Sequence, residues 1–102
     1  MKTIVLQVSY AKTLHEKVIG LIGAKEPRAL LLKTRFGIHT FGVRFPLDIL
    51  ILDKQHKVVK IKRSLETYRL FFWNQQFDTV IELPHGTIEK KDIKLGDSIN
   101  FL

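Results

Sequence analysis

GIHTFGVRFPLDILILD, Gly37 to Asp53, places a histidine, an arginine and an aspartate inside the most apolar run of the chain. Within it, Phe45 to Leu52 is a short apolar segment rich in branched side chains, closed by the turn-forming Asp53-Lys54-Gln55. Such a run reads as a strand buried on both faces, and so as the central strand of the fold. Pro46 has no N–H to give a ladder and belongs at the strand's start. Strand side chains alternate, which puts Asp48 on one face with Leu50 and Leu52. A carboxylate there must be paired, hydrogen-bonded or protonated. Backbone N–H groups, Arg44 and His39 are the partners within reach along the chain.

The remaining residues supply support. The 102 residues are one domain's length, enough to bury a single core, and there is no repeat or low-complexity linker. Cysteine is absent, which removes disulfides, thiolate metal sites and thiol catalysis and fits a cytoplasmic setting. The opening MKTIVLQVSYAK lacks the h-region of a signal peptide, and no stretch nears the roughly 18 to 20 apolar residues of a membrane span. Net charge is +7, and Lys25 to Arg63 holds ten Lys or Arg against three acids, so the whole excess lies in the middle third. That asymmetry suits a solvated basic face and weak attraction for anionic polymers.

Around the central stretch, Thr3 to Tyr10 alternates as a half-buried strand. Thr13-Leu14-His15-Glu16 has the form of a capping box and predicts one helix over Leu14 to Ile22, ended by Gly23 and Pro27. Arg28 to Lys33 is a candidate strand. Lys57 to Arg63 returns from the Asp53–His56 turn as a hairpin partner, with Val59 and Ile61 inward and Lys60 and Lys62 in water, where lysines protect a sheet edge. Leu65 to Asn74 is rich in aromatics and its period assigns it neither to strand nor to loop. Phe77 to Leu83 is a strand, Thr87 to Asp92 about one helical turn, and Ser98 to Leu102 the closing strand. The fold class is mainly β (α+β): a barrel-like or strongly curved sheet with one packed helix near the N-terminus.

Catalytic signals are poor. No serine stands in a nucleophile elbow and no glycine loop has phosphate-binding spacing. His15, His39, His56 and His85 are too scattered for a zinc site, so neither metal nor cofactor is expected, and a chelator should leave the melting temperature unchanged. His15 and His56 read as exposed bystanders. His39 precedes the central strand and could approach Asp48 or Arg44.

GIHTFGVRFPLDILILDKQHKVVKI, followed by VIELPHGTIEKKDIKLGDSINF, resembles the bacterial and archaeal domain of unknown function 192 family. The motifs that carry the resemblance are Gly20-Leu21, His39-Thr40-Phe41, Pro46-Leu47-Asp48, Glu82-Leu83-Pro84-His85-Gly86 and Gly96-Asp97. Gln55-His56 stands where the family usually has an Asp-Gly hairpin turn. The resemblance implies a compact, mainly β fold and brings no activity with it. Together with these motifs the candidate binding set is His39, Thr40, Arg44, Asp48, Glu82 and His85. The leading reading is a non-catalytic binding or accessory module for an unidentified ligand, with its site around the Pro-Leu-Asp strand. Two others stay open. One is an RNA- or single-strand-binding barrel using Lys57, Lys60, Lys62, Arg63 and the aromatics of Leu65 to Trp73. The other is a small hydrolase-like enzyme using His39 and Asp48. Arg and Lys on one face beside exposed aromatics would favour the former, and a deep cleft holding His39 and Asp48 the latter.

Overall fold

A computed structural model of the chain describes residues 1–10, 29–35, 37–41 and 43–102. In chain order these form β1 (Thr3–Leu6), β2 (Ser9–Tyr10), β3 (Leu30–Lys33), β4 (Ile38–His39), β5 (Leu47–Leu52), β6 (Val58–Leu65), β7 (Leu70–Phe71), β8 (Thr79–Pro84), the short helix α1 (Thr87–Lys90) and β9 (Ser98–Phe101). The helix foreseen over Leu14 to Ile22 lies outside the described residues. Among those described, the helix is α1, at the turn foreseen after Pro84-His85-Gly86 and not near the N-terminus.

Five strands form one sheet in the order β2-β3-β8-β5-β6, and two ribbons, β1-β9 and β4-β7, lie apart from it. The β2–β3 and β1–β9 pairs are parallel and the others antiparallel. β5, the Pro-Leu-Asp strand, is interior as its composition requires, and all six of its residues are buried. The middle position belongs to β8, whose TVIELP is almost as apolar.

Among the described residues the sheet is open, and no barrel closes. The reason is that β5 and β8 are apolar on both faces, whereas a small closed barrel has one filled interior and a wet exterior. An open sheet of this kind needs a cover on each side. On the first face, Leu31, Leu50, Leu52, Val58, Ile81 and Leu83 pack with Ile4, Leu6 and Ile99 of the β1–β9 ribbon and with Ile88 of α1 and Ile93. On the second, Leu30, Leu32, Leu47, Ile49, Ile51, Leu65 and Val80 pack with Val43 and Trp73, flanked by Ile38, Phe45, Phe71 and Phe77. Each fully buried Leu or Ile contributes about 1.5 to 3 kcal/mol, so two such clusters outweigh any single polar contact.

β6 departs from the foreseen alternation. Leu52 pairs with Val58 but Ile51 with Lys60, and Ile49 pairs with Lys62 but Leu47 with Leu65. Each shift inserts one extra residue, a β-bulge, and a bulge changes which face the following side chains meet. Ile61 therefore packs against the first cluster and Val59 against the second. The Asp53–His56 turn forms as expected: the Asp53 carboxylate accepts the N–H groups of Gln55 and Lys57, both at 2.9 Å. His56 has φ 63°, the left-handed backbone that glycine supplies in the usual Asp-Gly turn. Leu65 to Asn74 resolves into the end of β6, a turn, and the two residues of β7.

Candidate functional site

Asp48 is 2% exposed and its carboxylate is fully employed. Oδ1 accepts the N–H of Ser64 at 3.0 Å, and Oδ2 the N–H of Ile88 at 2.9 Å. Both donors need it. Ser64 sits in the second bulge with φ 53°, so the sheet ladder offers its N–H no regular partner. Ile88 is in the first turn of α1, whose cap residue Gly86 (φ 89°) has no side chain to accept from it. One carboxylate from β5 thus bolts the bulge of β6 to the turn between β8 and α1. Neither His39 nor Arg44 takes part.

This junction brings two further side chains together. Ser64 Oγ lies 2.9 Å from Nδ1 of His85, the residue that leads from β8 into the Gly86 turn. Ser64 also lines an open cleft of about 270 Å³ with Lys62, Leu65, Glu66, Arg69, Leu70 and Phe71. Ser64 is absent from the candidate set drawn from the sequence, because in an unbroken strand it would be one more outward polar residue. The available signal is the polar run Lys62-Arg63-Ser64 between Ile61 and Leu65. Ile61 and Leu65 are four residues apart and reach opposite faces, which an unbroken strand cannot achieve.

His39 and Thr40 lie elsewhere, on the ribbon that covers the second face. Thr40 is fully buried and holds the ribbon's loop: its hydroxyl donates to the carbonyl of Glu66 at 2.6 Å and accepts the N–H of Arg69 at 2.9 Å. His39 is exposed, accepts the N–H of Phe41 through Nδ1 at 3.2 Å, and stacks on the Phe41 ring at 5.3 Å between centroids. Tyr68 follows at 6.2 Å from Phe41. Phe41, Tyr68, Leu70 and Phe72 are 45%, 70%, 58% and 60% exposed, a concentration of large apolar side chains in water. Arg69 stands between Tyr68 and Leu70, and Lys60 places its ammonium 5.1 Å from the Phe71 ring centre while donating to the carbonyl of Phe72. Gly37 fits this ribbon because a Cβ there would fall 2.5 Å from the Phe72 ring. Trp73, by contrast, is buried and its Nε1 donates to the carbonyl of Phe77 at 2.8 Å. Arg44 is exposed in the loop before β5.

Glu82 is separate again. In β8 it pairs with Leu30 and Ile49 and shares the second face with Val80. It is 6% exposed, and no hydrogen bond reaches its carboxylate among the described residues. Burial pushes its pKa up to about 7. The six candidates accordingly divide between the Asp48–His85 junction, the ribbon of His39 and Thr40, the exposed loop of Arg44, and the apolar face around Glu82. No group of three His, Asp or Glu side chains suited to a metal ion occurs among the described residues. A second open cleft, of about 560 Å³, runs between the Asp53–Gln55 turn and Gln76–Asp78, where Asp78 is engaged by Arg35 at 3.4 Å.

The family model of domain of unknown function 192, described as an uncharacterised ACR, matches residues 1–101. The chain belongs to this family. An archaeal relative, the UPF0127 protein of Pyrococcus furiosus, is 26% identical over 98% of this chain and 90% of its own length. The same fold is found in a crystal structure of a protein of unknown function from Novosphingobium aromaticivorans. That chain has a TM-score of 0.77 and 19% identity, over 87% of this chain and 70% of the other. It also occurs in a Sinorhizobium meliloti protein described provisionally as a transcription regulator, with a TM-score of 0.73 and 17% identity, over 87% and 76% of the two chains. These two likenesses establish the fold alone. No helix among the described residues is long and apolar enough to cross a membrane.

Proposed function

We propose that the protein is a binding module whose contact surface is the aromatic and basic face of the β4–β7 ribbon, and that its ligand is single-stranded nucleic acid. The observation that carries this reading is the contiguity of exposed rings and cations: Phe41, Tyr68 and Phe72 beside Arg69, Lys60 and Lys62. Unpaired bases stack on aromatic side chains while Lys and Arg follow the phosphates. A rigid duplex hides the faces of its bases and would use only the cations. His39 and Phe41 are already stacked on each other, with no room for a base between them. Tyr68, the most exposed ring among the described residues, is the platform for a base, and its left-handed backbone (φ 58°) is held by its N–H donating to the carbonyl of Thr40.

Binding should be weak and independent of sequence. Fluorescence anisotropy with labelled single-stranded and duplex oligonucleotides tests it. The expected result is preference for the single strand, with log K falling against log salt by about 0.7 for each phosphate contacted. Tyr68→Ala should weaken binding about 5- to 150-fold, the worth of one stacked base. Equal affinity for duplex, or a Tyr68→Ala variant that binds like the parent, would refute the reading.

A further inference from the structure

We propose that Ser64 and His85 form a nucleophile–base pair able to hydrolyse small carboxylic esters whose acid part carries a negative charge. Three observations converge on the pair. The Ser64 hydroxyl lies 2.9 Å from His85 Nδ1, within the reach a general base needs to take its proton. Ser64 holds φ 53°, a backbone that non-glycine residues rarely adopt, and the buried Asp48 fixes it there by binding its N–H. That same carboxylate, through Ile88, fixes the turn carrying His85, so both members are set by one anchor. The serine opens onto the cleft whose wall includes two cations, Lys62 and Arg69, against one acid, Glu66, a balance that favours an anionic acid group and the developing oxyanion, while Leu65, Leu70 and Phe71 supply apolar wall for the rest.

In the imidazole tautomer protonated at Nε2, Nδ1 accepts from the serine hydroxyl. Ser64 Oγ attacks the ester carbonyl carbon as its proton passes to Nδ1, forming the tetrahedral adduct. Collapse breaks the bond to the alcohol oxygen, which takes that proton from His85 and leaves as the alcohol. A water then gives a proton to Nδ1 and attacks the acyl-serine carbon. Ser64 Oγ departs, recovers the proton, and the free acid is released. The sum is ester plus water to acid plus alcohol, with no other reactant.

The test uses the full chain with mono-p-nitrophenyl succinate and, for comparison, neutral p-nitrophenyl acetate. The expected result is release of nitrophenolate above each ester's own protein-free rate, the excess being larger for the succinate ester, whose carboxylate already speeds its spontaneous release, with an acyl group found by mass spectrometry on the peptide containing Ser64. Ser64→Ala and His85→Ala should each lower the rate about 100-fold or more, the usual contribution of a positioned base. Their circular dichroism should match the parent. Should Ser64→Ala fail to fold, labelling of the unaltered chain with a fluorophosphonate decides the matter: a phosphonyl group on Ser64 supports the pair, and its absence overturns it. Nitrophenolate release no faster than from the His85→Ala variant, or a folded Ser64→Ala variant with the parent's rate, overturns it as well.

Discussion

Replacing Asp48 with alanine should lower the free energy of unfolding by about 2 to 4 kcal/mol, measured by chemical denaturation. The magnitude follows from what is left behind, not from the charge removed. The N–H groups of Ser64 and Ile88 would lose their acceptors at a site where Asp48 is 2% exposed. Neither has a substitute, because the bulge takes Ser64 out of the ladder and Gly86 offers α1 no side-chain cap. Asp48→Asn should fall between the two, since an amide keeps one acceptor oxygen but turns N–H donors toward the other N–H. Amide hydrogen exchange gives a second readout: Ser64 and Ile88 should exchange faster in Asp48→Ala than in the parent, ahead of the rest of their strand and helix. A loss below about 1 kcal/mol would mean that water reaches both amides, and would return Asp48 to the role of a ligand-facing anchor.

Glu82→Gln should have an effect of similar size and opposite sign, but only above neutrality. Burial raises the Glu82 pKa from the ordinary 4.5 to about 7, so the folded protein favours the protonated acid. Stability is therefore fully present below about pH 4.5, declines as pH rises toward 7, and is lost above it. The difference amounts to about 3 kcal/mol between the two plateaus. Glutamine has the shape of the protonated acid and does not titrate. The variant should match the parent near pH 4 and exceed it by as much as about 3 kcal/mol at pH 8. Because other groups titrate in both proteins, the quantity to follow is the difference between the two denaturation free energies. A difference that stays flat from pH 4 to pH 8 would show that the carboxylate is hydrated in the folded state.

These two acids illustrate how far the sequence can be read. Asp48 and Glu82 both stand in apolar strands, and from the sequence Asp48 asks for a partner while Glu82 is only a candidate binding residue. Pairing decides the rest: Asp48 meets a bulge and a helix start 16 and 40 residues away, while Glu82 meets Leu30 and Ile49. Apolar runs and turn residues were enough to place β5, β8, the Asp53–His56 turn and the Thr87 turn, since those signals are local. The open sheet was harder, because a strand buried on both faces suits a covered sheet as well as the wall of a curved one. The Ser64–His85 pair was hidden for the same reason as the bulge. One extra residue in β6 is a property of its pairing with β5, and alternation within β6 alone does not reveal it. His39 drew attention by its neighbours in sequence, yet in space those neighbours turn to the ribbon and away from Asp48.

The parallel pairing of β1 with β9 lays the first and last described strands side by side. Asp97 closes the join: its carboxylate accepts the backbone N–H of Lys2, the Lys2 ammonium and the N–H of Lys94, each at 2.9 to 3.0 Å. These donors hold its pKa down at about 2, below the ordinary 3.8, so the join keeps its charge as acid is added until the pH falls through about 2. During synthesis, however, β1 emerges before every other described strand, and its only partner among them, β9, emerges after all the others. Ile4 and Leu6 must wait, uncovered by Ile99, until Ser98–Phe101 has left the ribosome. Ordering contacts this distant along the chain is slow. A nascent chain stalled before Ser98 should therefore remain sensitive to protease.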